Sequence, residues 1–123
     1  MPKRILVVDD EQLLLDLLTH LLSKLGYQVD QALDSAQAAA KIKEGEYDLI
    51  FLDMKMPLMD GRGFYLAMKE RFPPLAKRIV FLTGDIANQE TTQFIKGTGN
   101  FHLLKPFTIK EVRSLLDQFF QAS

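Results

Sequence analysis

The chain has 123 residues, 47% of them hydrophobic, with 15 basic and 16 acidic side chains and no cysteine. This length predicts one domain whose core is large enough to fold without a disulfide or a structural metal. The net charge of −1 argues against direct nucleic-acid binding, and the absence of cysteine excludes thiol catalysis. No apolar stretch is long enough to span a bilayer, so we expect a cytoplasmic protein without a membrane anchor.

Short apolar runs alternate with helical patterns along the chain. Strands are predicted at 5–8, 48–52, 79–82 and 101–104, where apolar runs are too short for helices, and a weaker strand is predicted at 28–32. Helices are predicted at 13–25, 34–45, 64–72, 86–96 and 108–119 from apolar residues at helical spacing. The helix at 86–96 has few apolar anchors, and we expect it to be the mobile one. The strict alternation predicts a single α/β domain over 1–123, with a doubly wound parallel sheet covered by helices on both faces.

Polar side chains follow the strands at the point where each strand ends. The central strand ends on Asp53, which we take as the candidate reactive residue because open α/β folds bind ligands at the carboxyl ends of their strands. Asp9 and Asp10, Thr83 and Lys105 follow three other strands. Since parallel strands bring their carboxyl ends to one edge of the sheet, these five residues should converge.

The converging residues suit phosphoryl chemistry. Three close carboxylates resist full ionisation unless a cation joins them, and hard oxygen ligands suit Mg²⁺. Lys105 and Thr83 can hold phosphoryl oxygens, and a carboxylate such as Asp53 can attack phosphorus to give an aspartyl phosphate. Each residue alone also has a structural interpretation, since acids after strands often cap helices and a threonine there often belongs to a turn. The joint pattern favours the functional interpretation.

The segments 7–11, 52–61, 82–84 and 104–107 together resemble the motifs of receiver domains of two-component response regulators, the family of the chemotaxis regulator. The resemblance covers essentially the whole chain and implies a flavodoxin-like sheet of order 2-1-3-4-5. It also implies that Asp53 accepts a phosphoryl group from the phosphohistidine of a sensor histidine kinase or a histidine phosphotransfer protein. Such a protein catalyses only its own phosphorylation and dephosphorylation and has no metabolite substrate.

The same resemblance assigns roles to the other site residues. Mg²⁺ would be held by Asp10, Asp53 and the backbone carbonyl of Lys55, with Asp9 acting through water. Thr83 would move onto the phosphoryl group, Lys105 would bind its oxygens, and the peptide bond between Lys105 and Pro106 would be cis.

One position departs from the usual pattern of the family. The switch residue, usually Tyr or Phe three positions before the lysine, falls on His102, whose own titration could then bias the switch. The alternative is that His102 is a half-buried strand residue without a switching role.

Two surfaces are expected to contact partners. The resemblance places output to a downstream effector on the face of the fourth helix, last strand and last helix, and a phosphorylation-dependent homodimer is a further expected partner. Its expected residues are Gln93, Lys96, Phe101 and Lys110. On the first helix, Leu13 and Leu15 lie at the margins of the apolar stripe and could either dock a kinase or complete the core.

Two other functions would use some of the same residues or the same fold. A haloacid dehalogenase-like Mg²⁺ phosphatase also uses an aspartyl nucleophile, but it needs a second aspartate two residues later, where this chain has Lys55. A receiver that is never phosphorylated and serves only as an interaction module is disfavoured by the complete set of site residues.

Overall fold

Five short strands form one parallel sheet in the computed structural model, which describes residues 2–56, 59–84 and 88–121. The strands are β1 (Arg4–Val8), β2 (Gln28–Ala32), β3 (Leu49–Asp53), β4 (Ile79–Thr83) and β5 (His102–Leu104). Their order is β2-β1-β3-β4-β5, and every pairing is parallel. The predicted α/β class and strand order are confirmed. β3 and β4 each extend one residue further than predicted and so include Asp53 and Thr83 themselves.

The described residues form six helices, one more than predicted. They are α1 (Gln12–Lys24), α2 (Ser35–Glu44), α3 (Gly61–Arg71), α4 (Pro73–Ala76), α5 (Gln89–Thr98) and α6 (Ile109–Gln121). The additional helix is α4: Pro73 and Pro74 end α3 as expected, but proline fits the first turn of a helix, so the same residues begin a new turn. The predicted start of the fourth helix at Ile86 lies outside the described residues. No helix in the described ranges is long and apolar enough to cross a membrane.

The sheet is buried on both faces because alternate residues of its central strands point to opposite sides. Ile50 and Leu52 belong to the core cluster covered by α2, α3 and α5. Leu49 and Phe51 belong to the cluster covered by α1 and α6. β3 is therefore fixed from both sides, and the position of the residue at its end is fixed with it.

Three leucines form the core face of α1. Leu15, Leu18 and Leu22 are fully or almost fully buried, whereas Leu13 is 75% and Leu17 61% exposed. Of the two alternatives for Leu15, completing the core is therefore confirmed and docking a partner is excluded, whereas Leu13 remains exposed. Leucines occupy nearly every early position of this helix, so the sequence leaves its rotation about the axis undetermined, and packing against the sheet decides it.

An aromatic ladder at the amino edge of the sheet fixes the end of α6. Tyr27 stacks on Phe120 at 5.7 Å between ring centroids, Phe120 meets Phe119 edge-on at 5.1 Å, and Phe119 meets Phe101 at 5.9 Å. The ammonium group of Lys3 lies 4.8 Å from the centroid of Phe120. These contacts join the last helix to the residues preceding β1, β2 and β5.

Candidate functional site

The carboxyl edge of the sheet holds three buried polar side chains. The register pairs Asp53 with Leu82 and Thr83 with Leu104, so β3, β4 and β5 end side by side. Asp9 is fully buried directly after β1, and Asp53 and Thr83 are almost fully buried. Within the described ranges these are the only buried polar or charged residues, and all three were predicted to meet here.

Lys105 lies at the centre of this group. Its Nζ is 2.8 Å from Asp9 Oδ2, 3.3 Å from Asp53 Oδ1 and 3.6 Å from Glu11 Oε1. Asp9 Oδ1 also accepts a hydrogen bond from the backbone N–H of Glu11 at 3.0 Å, so both of its oxygens are engaged. A buried carboxylate needs such partners, because an unpaired buried charge is costly. The peptide bond between Lys105 and Pro106 is cis, as the resemblance implied.

The three predicted acids are close enough to share one cation. One carboxylate oxygen from each of Asp9, Asp10 and Asp53 lies within 4.8 Å of the other two. Asp10 is exposed, so a cation here would keep contact with water. Carboxylate ligands with room for water suit Mg²⁺, which usually keeps several of its waters. The donor set therefore fits the predicted metal.

The protonation of Asp53 reflects this crowding. Burial, and then the charge of Asp9, raise the pKa of Asp53 to about 6, although Lys105 and the backbone N–H of Lys55 act in the opposite direction. Burial alone would lower the pKa of Lys105, but its bond to Asp9 and the charges of Asp53 and Asp9 outweigh burial and raise it. The lysine thus stays charged, while Asp53 ionises only against repulsion that a bound cation would relieve.

Asp53 lies in the wall of an open cavity of about 780 Å³. The predicted site residues in its lining are Asp10, Asp53, Lys55, Thr83 and Lys105. The backbone N–H of Lys55 donates a 3.3 Å hydrogen bond to Asp53 Oδ1. A phosphoryl group could therefore reach Asp53 from solvent while contacting the lysine and the threonine.

Helix α3 begins directly against the end of β3. The N–H of Gly61 donates to the carbonyl of Met54 at 3.1 Å. A Cβ on Gly61 would lie only 2.8 Å from both the carbonyl oxygen of Asp53 and the Cα of Met54. Glycine is therefore required here because the backbones approach too closely for any side chain. This contact places Arg62, the next residue, at the same cavity.

Several residues that line the cavity were not predicted from the sequence. Arg62 of α3 and Phe94 of α5 both line it, and the Arg62 guanidinium carbon lies 5.3 Å from the centroid of the Phe94 ring. Glu11, beside Lys105, was also missed. The glutamate could have been found from its position next to Asp9 and Asp10, whereas no local pattern indicates a contact between two helices.

His102 lies at the start of β5, in register with Phe81, and its side chain is exposed. His102 is therefore a strand residue, as the alternative interpretation predicted, but it is exposed and not half-buried. Its switching role stays a prediction. The expected output residues Gln93, Lys96, Phe101 and Lys110 are all exposed as well.

A family model for the response regulator receiver domain matches residues 5–117. The chain belongs to this family. The receiver domain is 35% identical over 119 residues to the sensor protein EvgS of Escherichia coli K12, covering 97% of this chain and 10% of EvgS. It is 39% identical over 111 residues to the transcriptional regulatory protein ResD of Bacillus subtilis, covering 89% of this chain and 44% of ResD.

Solved structures agree with this assignment. The chemotaxis protein CheY4 of Vibrio cholerae superposes with a TM-score of 0.86 at 29% identity, over 97% of this chain and 99% of CheY4. Phosphorylation and Mg²⁺ are standard for receiver domains, which work with sensor histidine kinases and effector domains. Membership of this family speaks against the haloacid dehalogenase-like alternative. The chain spans less than half the length of the curated relatives named here.

Proposed function

We propose that residues 1–123 act as one phosphoacceptor domain in which Asp53 takes a phosphoryl group from the phosphohistidine of a sensor histidine kinase or a histidine phosphotransfer protein. The observation that carries this proposal is the position of Asp53, buried at an open cavity with Lys105 Nζ at 3.3 Å. We place the exchange in the cytoplasm, as the resemblance implies. The domain would catalyse only its own phosphorylation and dephosphorylation.

Transfer requires Asp53 to act as a nucleophile. A carboxylate oxygen of Asp53 forms the new bond to phosphorus, and the P–N bond of the donor breaks with its electron pair leaving on the imidazole nitrogen. Lys105 neutralises phosphoryl oxygens as charge moves onto them, and the Thr83 hydroxyl donates to one of them. Hydrolysis returns the free carboxylate when water attacks the same phosphorus atom.

The acids around Asp53 would hold the metal. Asp10, Asp53 and the backbone carbonyl of Lys55 would bind Mg²⁺ directly, and Asp9 would act through water. A bound Mg²⁺ supplies charge neutralisation at the phosphoryl oxygens. The assignment of Asp9 to an indirect role is supported by its complete burial and its two existing hydrogen bonds.

An apolar groove beside the acidic cavity offers a place for the phosphodonor. It has a volume of about 670 Å³, and Glu11 and Lys105 line both this groove and the Asp53 cavity. Its apolar walls include Leu14, Leu17 and Pro106. We propose that the histidine-bearing helix of the kinase or phosphotransfer protein docks here, with exposed Leu17 in the place that Leu15 was expected to take. The exposed output residues on α5 and α6 and before β5 would then contact an effector or a second copy of the chain.

The proposal is tested by intact mass spectrometry after incubation with acetyl phosphate and Mg²⁺. We expect the gain of one phosphoryl group, which disappears in Asp53→Asn and in the presence of EDTA. Absence of an adduct could also reflect fast hydrolysis, so binding of beryllofluoride with Mg²⁺ is measured in parallel. If the protein forms neither adduct, it is an interaction module that is never phosphorylated, and the proposal is wrong.

A further inference from the structure

Arg62 is a cation of the Asp53 cavity that the proposed mechanism does not use. It lines the same cavity as Asp53, Thr83 and Lys105. Its backbone is held close to the reactive end of β3, because the preceding Gly61 contacts the carbonyl of Asp53 too closely to carry a side chain. The arginine side chain therefore starts beside the end of β3 that carries Asp53.

The guanidinium group of Arg62 is held by an aromatic ring. Its central carbon lies 5.3 Å from the centroid of Phe94. Among residues 2–56, 59–84 and 88–121, no carboxylate forms an ion pair with it. An exposed cation–π contact changes an equilibrium constant by only about two- to fivefold. The contact can thus be replaced by a stronger partner.

Phe94 is a main anchor of α5. Its ring meets Tyr65 of α3 edge-on at 5.7 Å and Phe81 of β4 at 5.9 Å. Ile95 is the buried residue of the same helix, whereas α3 buries four residues and α1 buries three. Arg62 therefore lies between the edge of the sheet that holds Asp53 and a helix with a single buried residue.

We propose that Arg62 is a positioning residue that changes partner when Asp53 is phosphorylated: its guanidinium group leaves the face of Phe94 and pairs with phosphoryl oxygens. This inference rests on the proposed function of Asp53. The new group adds negative charge and strong acceptor oxygens, and a guanidinium group binds phosphate through paired hydrogen bonds. Such hydrogen bonds are stronger than an exposed cation–π contact, so the exchange is favourable. Loss of the arginine from Phe94 then loosens α5 at the point where it is anchored.

A double-mutant cycle tests the exchange. The dissociation constant of beryllofluoride, a mimic of the phosphoryl group, is measured with Mg²⁺ by calorimetry for the wild type, Arg62→Gln, Phe94→Leu and the double variant. Arg62→Gln should weaken binding by roughly three- to tenfold, because the pairing with phosphoryl oxygens is lost and this loss is only partly offset by no longer having to break the cation–π contact. Phe94→Leu should strengthen binding by about two- to fivefold, because Arg62 is released in advance. In the Arg62→Gln background the same leucine substitution should have no strengthening effect.

Two further measurements separate the exchange from general effects of charge and packing. Arg71→Gln removes the same charge from the far end of α3, about 13 Å along the helix, and should leave the dissociation constant unchanged. By NMR, the Arg62 Nε–Hε signal should be shifted upfield by the Phe94 ring in the wild type. Addition of beryllofluoride and Mg²⁺ should abolish this shift, and Phe94→Leu should lack it from the start.

These measurements test the partner exchange of Arg62 separately from the proposed role of Asp53 as phosphoacceptor. If the wild type binds beryllofluoride but the two substitutions act additively, or if the upfield shift of Arg62 persists in the complex, the partner exchange is wrong and Asp53 can still be the phosphoacceptor. If the wild type neither binds beryllofluoride nor gains a phosphoryl group from acetyl phosphate, both the proposed function and the exchange are wrong.

Discussion

Replacing Asp53 by asparagine should stabilise the protein when no divalent cation is present. The asparagine keeps an oxygen that can accept hydrogen bonds from Lys105 and the backbone of Lys55, but it carries no charge. Burial and the charge of Asp9 raise the pKa of Asp53 from 3.8 to about 6. Since one pKa unit corresponds to about 1.4 kcal/mol, ionisation of Asp53 costs about 3 kcal/mol more in the folded chain than in the unfolded chain. The variant avoids this cost, so we expect its free energy of unfolding to be higher by about 2 to 3 kcal/mol at about pH 8.

The gain in the free energy of unfolding of Asp53→Asn should increase with pH. The folded chain binds the Asp53 proton more tightly than the unfolded chain does, so protonation at this site favours folding. The proton on Asp53 therefore contributes fully to the free energy of unfolding of the wild type below about pH 4. This contribution is lost as the pH rises through about 6. The difference between the variant and the wild type should be close to zero in acid, grow over this window and stay constant above it.

Urea denaturation followed by far-ultraviolet circular dichroism measures this difference, and the chain has no tryptophan to report by fluorescence. EDTA removes divalent cations, and Glu70→Gln, which removes an exposed carboxylate of α3, serves as the control and should change stability by less than about 0.5 kcal/mol. Addition of Mg²⁺ should stabilise the wild type more than the variant. A variant that is no more stable than the wild type at about pH 8, or a gain that is the same at all pH values, would refute the assignment of a repelled, buried charge at Asp53.

Four further substitutions test individual contacts of the fold by the same denaturation assay. Lys105→Met should destabilise the protein by about 3 kcal/mol, because it keeps the aliphatic stem but leaves the fully buried Asp9 without its cation. Gly61→Ala should cost about 2 kcal/mol, since its Cβ would lie 2.8 Å from two backbone atoms at the end of β3. Gly97→Ala, in an open part of α5 with no atom within 4 Å of the new Cβ, should instead stabilise by about 0.5 kcal/mol. Tyr47→Phe should cost about 1 kcal/mol at neutral pH, because it removes a 2.6 Å hydrogen bond to a half-buried carboxylate of β2.

The following results would contradict the physical explanations given for these substitutions. A loss below about 1 kcal/mol for Lys105→Met would mean that Asp9 does not depend on the lysine. Equal effects at Gly61 and Gly97 would mean that the close approach of α3 to β3 is not what requires glycine. A loss for Tyr47→Phe that does not shrink in acid would separate the hydroxyl from the carboxylate, since that hydrogen bond is the main cause of the lowered pKa of Asp30.

The strands and the carboxyl edge of the sheet could be predicted from the sequence because the patterns that mark them lie within short segments. A buried parallel strand must be apolar throughout, so the first polar residue, such as Asp9 or Asp53, marks its end, and parallel pairing then brings the ends together. The rotation of α1 could not be predicted in this way. Leucine occupies so many of its positions that several apolar faces fit the same sequence, and Leu15 faces the core only because the sheet lies on that side.

The contact between Arg62 and Phe94 could not be predicted either, for a different reason. The two residues belong to separate helices, and each is unremarkable within its own helix: an exposed arginine near the start of α3 and a half-buried aromatic residue in α5. Their approach depends on how closely Gly61 allows α3 to lie against β3. This distance is a property of the packed chain and leaves no pattern in either segment.

The aromatic ladder at the amino edge has a practical consequence for engineering. Because Lys3 contacts Phe120, the two ends of the described chain are neighbours in space. They lie at the amino edge of the sheet, whereas Asp53 lies at the carboxyl edge. A short peptide could join them, so the chain is suited to circular permutation with new ends opened in an exposed loop. Fluorescent proteins fused to the two ends of this domain would project away from the edge of the sheet that holds Asp53. Such a pair would be held close together by the fold itself.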